Sequence, residues 1–152
     1  MQQSTTPTPS SSLTFTVLGK PAPQGSKRHV GRGVMVESSK RCKPWRQDVR
    51  HTALDLRPED WYANMDAAIS ISVVFVFARP KNHFRTNGQL KPSAPTYCTA
   101  RIGDVDKLAR SILDSLAGVL FAADEQVINL IAQKRYANDR EQPCAIITVS
   151  AV

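Results

Sequence analysis

The chain has 152 residues, 41% of them hydrophobic, enough for one domain with a real core and short of what two would need. No apolar run approaches the roughly 20 residues that a membrane-spanning helix requires, so no membrane partner is expected. Twenty Lys and Arg against thirteen Asp and Glu leave a net charge of +7, which suits a polyanion.

Met1 to Ser12 is built of Gln, Ser, Thr and Pro, with neither a basic start nor an apolar segment. It is expected to be a disordered lead-in and not a signal peptide, with the folded domain over 13–152 and a cytoplasmic location. Leu13 to Leu18 alternates polar and apolar residues and predicts a first strand, closed by Gly19 and Pro21. Pro21 to Gly33 is rich in Pro, Gly and cations and predicts a mobile loop that orders on a phosphate backbone. Val34 to Val36 predicts a short strand. Lys20 to Arg50 holds Lys27, Arg28, Arg32, Lys40, Arg41, Lys43 and Arg46, opposed within it only by Glu37 and Asp48. A basic block of this kind suits nucleic acid, although a solvated basic surface has the same composition.

Pro44 suits the first turn of a helix, and Trp45, Val49 and Ala53 recur at i, i+4 and i+8, so a helix is predicted from about Trp45 to Leu54. Arg46, Arg50 and His51 fall on its other face, and Pro58 closes the region. Ala67 to Phe77 is the strongest strand pattern: Ile69, Ile71, Val73, Phe75 and Phe77 share one face, and Val74 and Val76 make the other apolar. Such a strand belongs inside a sheet. Arg79 to Ala100 predicts a long polar loop, a candidate for ordering by substrate. Asp106 to Leu116 predicts an amphipathic helix, with Asp106 as N-cap, Leu108, Ile112 and Leu116 as the buried stripe, and Gly118 ending it. Gln126 to Tyr136 and Ala145 to Val149 predict two further strands. The resulting fold class is α/β: a single domain with a small mixed sheet packed against helices. Cys42, Cys98 and Cys144 are too far apart and too few for a disulfide framework or a zinc site, and read as buried or incidental thiols.

Asp104 and Asp106 form an Asp-x-Asp pair just before a helix. In extended backbone such residues point the same way, about 6.5 Å apart. Asp124 precedes the next strand, and the Gly118 turn is expected to bring it to the same end of the sheet. Oxygen ligands without His or Cys suit Mg²⁺ or Mn²⁺. A cation held so activates water and neutralises charge on a phosphate under in-line attack, and Arg110, one turn after Asp106, stabilises that charge. By spacing alone, the same residues also read as an N-cap, a first-turn acid and a turn residue, with Arg110 paired to Asp114.

Read together, Gly103 to Arg110 (GDVDKLAR), Leu113 to Gly118 (LDSLAG), Phe121 to Val127 (FAADEQV) and Lys134 resemble the RusA family of Holliday junction resolvases. Phe15 to Gly19 and Pro23 to Arg28 resemble its opening strand and basic loop. The resemblance implies a RusA-like fold and a homodimeric, Mg²⁺-dependent endonuclease that makes paired nicks across a four-way junction. Such proteins are commonly encoded by phages and prophages. It places the family's catalytic aspartates on Asp104, Asp106 and Asp124 and its catalytic lysine on Arg110. Lys27, Arg28, Arg32, Lys107 and Lys134 become candidate DNA contacts. Lys107 stands where Asn is usual, Arg110 where Lys is usual, and Ala123 where a first acidic neighbour of Asp124 is usual. Two other readings remain open: a non-catalytic basic DNA- or RNA-binding protein, and a nuclease for forks or flaps that does not resolve junctions symmetrically.

Overall fold

The alternating LTFTVL segment forms a strand, β1 (Ser12–Leu18), in the computed structural model, which describes residues 10–25, 27–29, 31–32, 35–37 and 40–152. Phe15 and Val17 are buried and their neighbours exposed, as the period of two requires. The chain then runs through β2 (Lys27–His29), β3 (Met35–Glu37), α1 (Cys42–Leu56), β4 (Ile69–Phe77), α2 (Val105–Leu116), β5 (Val127–Tyr136) and β6 (Cys144–Ala151). The order β1-β6-β4-β5 makes one mixed sheet, with β4 parallel to β5 and antiparallel to β6. The α/β expectation therefore holds, with β4 in the interior.

The sheet is one-sided, and the sequence shows why. Ile69, Ile71, Val73, Phe75 and Phe77 of β4 are all buried and meet the helices in one continuous core. The reverse face has a smaller apolar cluster, Val76, Ala137 and Cys144 with Val74 and Ile146 against it, an exposed Ile131, and hydroxyls that include the pairs Thr14–Thr148 at 2.9 Å and Ser12–Ser150 at 3.1 Å. Helix α1 packs beside α2 and over β1, while α2 lies over β5. The stripe Leu108, Ile112 and Leu116 is wholly buried, which contributes on the order of 2 kcal/mol per side chain.

Several boundaries differ from expectation. Helix α1 begins at Cys42, whose buried side chain extends the Trp45, Val49, Ala53 stripe one turn earlier. A 3-10 segment at Glu59–Asn64, with no periodicity to betray it, seats Trp61 in the core, where Nε1 donates to Leu120 O at 2.9 Å. The loop expected over Pro21 to Gly33 contains β2, which pairs with β3. Val34 and the first nine residues of the expected lead-in lie outside the described residues. Ser10 and Ser11 are held in place: Asn64 Nδ2 donates to Ser10 O, and Ala151 N donates to Ser11 O at 2.7 Å. The three cysteines are buried and form no disulfide. Among the described residues, no helix is long and apolar enough to cross a membrane.

The segment between β4 and α2 is long but anchored. Arg79 donates from Nε to Ala137 O and from Nη1 to Pro95 O, and its guanidinium stacks over the Tyr136 ring, 5.4 Å from the centroid. Tyr136 N in turn donates to Thr96 O. Its middle, from Phe84 to Leu90, is exposed.

Near the end of β5, Arg135 donates two hydrogen bonds to Glu141, at 2.5 and 2.9 Å. They hold the Glu141 carboxyl well below its usual 4.5, at about 2. A depressed folded-state value means that the pair's stabilisation is complete above pH 4.5 and fades as pH falls towards 2. Glu141→Gln is expected to cost about 1–2 kcal/mol at pH 7 and to flatten the decline in urea midpoint between about pH 5 and 2.5. An unchanged acid profile would show that Glu141 carries no linkage.

Candidate active site

The turn that launches α2 is built around Gly103. Its φ of +130° is strained for any L side chain, and a Cβ there would stand 3.2 Å from Leu108 and 3.3 Å from Pro23. Glycine thus lets the Pro23 loop, the turn and the buried first leucine of α2 close together. Lys134 Nζ donates to Gly103 O at 2.9 Å, and Gln24 N donates to Lys107 O at 3.0 Å, so β5 and the loop after β1 both grip this turn.

Asp104, not Asp106, occupies the N-cap position, with φ −71° and ψ 145°, and its carbonyl accepts from Leu108 N. The expected cap is displaced because Val105 already has helical geometry. Asp104 makes no side-chain cap; its carboxylate lies 3.4 Å from Lys107 Nζ. With the two side chains 74% and 41% exposed, that pair adds little stability. Asp106, in the first turn, benefits from the helix dipole and faces solvent. Asp106 and Arg110 line one groove with Gln24, Lys107, Leu113 and Leu130. Arg110 is exposed and, among the described residues, has no ion-pair partner. The alternative partner for Arg110, Asp114, instead accepts a hydrogen bond from Gln24 Nε2.

Asp124 is placed elsewhere. It opens a 3-10 turn, Asp124–Gln126, that feeds the first residue of β5, and it is exposed. Helix α2 runs back along the sheet from the Lys134 end of β5, and its twelve residues span about 18 Å. The expectation that all three acids meet at one end of the sheet within one protomer is therefore corrected. The loop after Gly118 stays near the far end of α2, where Ala122 N donates to Met65 O. Among the described residues, no three His, Cys, Asp or Glu side chains are grouped to hold a metal. Asp104 and Asp106 each present an exposed carboxylate of the kind a hard divalent cation takes, and Asp124 lies too far along β5 to join them within one protomer.

The basic residues divide by role. Arg32 is exposed, with φ +51°; Lys27 and Arg28 lie on β2, their side chains outside the described residues. Lys134 and Lys107 are drawn into the turn as above. Three arginines serve the fold instead of forming a loose surface: Arg41 donates to Lys20 O at 2.8 Å, Arg57 to Val119 O at 2.9 Å, and Arg50 to Ala117 O at 3.0 Å and Ser115 O at 3.4 Å. Arg50 thereby satisfies carbonyls left open at the end of α2. Lys43 and Arg46 line a groove between the helices with Gln47 and Ser115.

Two residues escaped the sequence reading. Gln126 accepts from Ala123 N at 2.7 Å and donates to Met65 O and Ala67 O, locking the Asp124 turn to the chain entering β4. Its place at the third position of that turn was the signal that could have found it. Gln24 joins the basic loop to α2 through both backbone and side chain, and a polar residue between Pro and Gly carries no periodic signal.

A family model described as endodeoxyribonuclease RusA matches residues 19–149. No curated protein matches the chain.

Proposed function

The chain belongs to the RusA family of endodeoxyribonucleases, and from that premise we propose a Mg²⁺-dependent nuclease that resolves four-way DNA junctions by paired, symmetric nicks as a homodimer. Mn²⁺ is expected to substitute for Mg²⁺, and an intracellular setting with branched DNA as substrate follows from the same reading. The observation that carries it is the exposed Asp104–Asp106 pair at the groove that Asp106 shares with Arg110. Two exposed carboxylates within three residues, one of them lining a groove with the Arg110 guanidinium, repel phosphate and suit a site whose cation offsets their charge.

Asp104 and Asp106 would hold the ion from one protomer, with Asp124 as the third acid. A bound divalent cation supplies charge neutralisation at the scissile phosphate and lowers the pKa of water. Arg110 offsets the negative charge that develops on phosphate oxygens, and its planar fork can contact two of them. Its guanidinium is not the point-like ammonium of a lysine, so its role is to pair with phosphate oxygens and not to act on the leaving oxygen as an acid. Lys27, Arg28 and Arg32, with Lys43 and Arg46, would grip backbone phosphates and position the duplex arms without reading bases. Lys107 and Lys134 sit beside the acids and act first on the turn that carries them.

The test is a nicking assay on a synthetic four-way junction, with linear duplex as control. Symmetric nicks on the junction in Mg²⁺, abolished by EDTA, are expected. Salt-sensitive binding without product in Mg²⁺ or Mn²⁺ would leave only a DNA-binding protein, and asymmetric cuts at forks or flaps would leave a different nuclease.

A further inference from the structure

Residues 79–101 carry Arg79, Lys81, Arg85, Lys91 and Arg101 and no Asp or Glu. Part of this segment, 83–91, folds into a small hairpin. Lys91 N donates to His83 O at 2.9 Å, Arg85 N donates to Gln89 O at 2.7 Å, and Gly88, at φ +85°, turns the tip. An antiparallel bridge sets Phe84 opposite Leu90, so both side chains fall on one face, 38% and 46% exposed. Apolar side chains left in water on a basic, acid-free loop suit an anionic partner that also has an apolar face.

Phe84 and Leu90 line a cleft of about 440 Å³ together with Ala78, Ala137 and the turn at 138–141. That turn is firmly closed. Glu141 N donates to Asn138 O at 3.0 Å, Asn138 N donates to a Glu141 carboxylate oxygen at 2.9 Å, and Arg135 holds the same carboxylate. Arg140 sits in it at φ +62°, a left-handed conformation that glycine takes without strain and other residues seldom adopt. The side chains of Asn138, Asp139 and Arg140 are exposed and, among the described residues, make no hydrogen bond or ion pair. The fold gains nothing from a guanidinium there, whereas a ligand in the cleft would meet its donors. Ala78 and Ala137 stand one residue beyond β4 and β5, at the end of the sheet where Lys134 holds the Gly103 turn and with it Asp104 and Asp106. From Lys134 to Ala137 is about 10 Å of chain, or about three base steps of duplex.

A nucleobase is the group that fits: apolar on its flat faces, polar around its edge, and tied to a phosphate chain. Phe84 offers a stacking surface, Asn138, Asp139 and Arg140 offer donors and acceptors to the edge, and the cations of 79–101 receive the phosphates. Inside continuous duplex a base is held between two neighbours. Where four arms part, that stacking is interrupted, and one base is drawn out at less cost. We propose that this cleft is a nucleobase subsite, which takes one base drawn from the helix at the branch point, stacked on Phe84 with its edge on Asn138 and Arg140. The inference rests on the nuclease reading for DNA as the substrate, and on the cleft for the base. Preference for branched over linear DNA then follows from the ease of opening a pair, without a sequence code.

The test is made on the whole protein in Ca²⁺, with a synthetic four-way junction and a linear duplex of the same sequence. Phe84→Ala is expected to weaken junction binding about tenfold and duplex binding less than about twofold. Arg140→Gly should weaken junction binding several-fold while its thermal midpoint stays within about 3 °C of wild type, because glycine suits the left-handed position. In a second measurement 2-aminopurine, whose emission neighbouring bases quench, is placed in turn at each branch-point position. Emission from at least one position should rise several-fold when the wild-type protein binds, and stay near the free-junction level with Phe84→Ala. Unchanged emission at every position, or either variant binding the junction as wild type does, would overturn the proposal. Equal losses on junction and duplex would make the cleft a backbone contact and overturn it as well. A chain that draws the base out yet leaves junctions uncut in Mg²⁺ would sink the nuclease reading alone. One that cuts junctions with no change in emission would sink only the subsite.

Discussion

Replacing Asp106 by Asn is expected to lower junction cleavage at least about a hundredfold while leaving junction affinity within about threefold. The substitution keeps the volume of the side chain and removes one negative charge. Asp106 has no hydrogen-bond or ion-pair partner among the described residues, so no structural bond is lost. The first turn of α2 loses a favourable dipole contact of a few tenths of a kcal/mol, too small to unfold the domain. The charge removed faces the groove shared with Arg110, where a cation would need it. Affinity should persist because phosphate contacts come from cations, and removing an acid lessens repulsion. Cleavage is read by denaturing gels and binding by mobility shift in Ca²⁺. Equal loss of both would mean that Asp106 serves the fold and not the chemistry; unchanged cleavage would remove it from the site.

Phe75→Ala, by contrast, should strike the fold itself. Phe75 lies in the second half of β4, wholly buried, with Ala145 beside it on one strand and Lys134 on the other. Ala145, its partner on β6, is small, and Phe75 is one of the largest side chains wholly buried in the core. Truncation of such a residue costs about 3–5 kcal/mol, against a total of roughly 5–15 kcal/mol for a domain of this kind. The urea midpoint should fall by about a fifth or more with the slope unchanged. Because Lys134 also holds the Gly103 carbonyl, Mn²⁺ affinity should weaken before global unfolding. A loss below about 1 kcal/mol would mean that this part of the sheet repacks freely.

What the sequence determined alone were the elements whose burial is periodic. β4 declared its central place through Ile69, Ile71, Val73, Phe75 and Phe77, together with Val76 behind them, and α2 declared its face through Leu108, Ile112 and Leu116. Period and amphipathicity are local properties, so they survive reading one residue at a time. The acids before α2 and the family motif around them were legible for the same reason, being spaced within a few residues. Non-periodic pieces stayed hidden: the 3-10 segment carrying Trp61, strand β2 and its pairing with the short strand expected near Val36, and the arginines Arg50 and Arg57, which satisfy carbonyls far along the chain. Whether Asp124 meets Asp104 and Asp106 was a different kind of question. It depends on how far α2 carries the chain before β5 begins, and on which edge of the sheet β5 occupies. Both are consequences of packing, and only the tertiary structure decided them: it put Asp124 at one end of an open apolar strand and the other two acids at its opposite end.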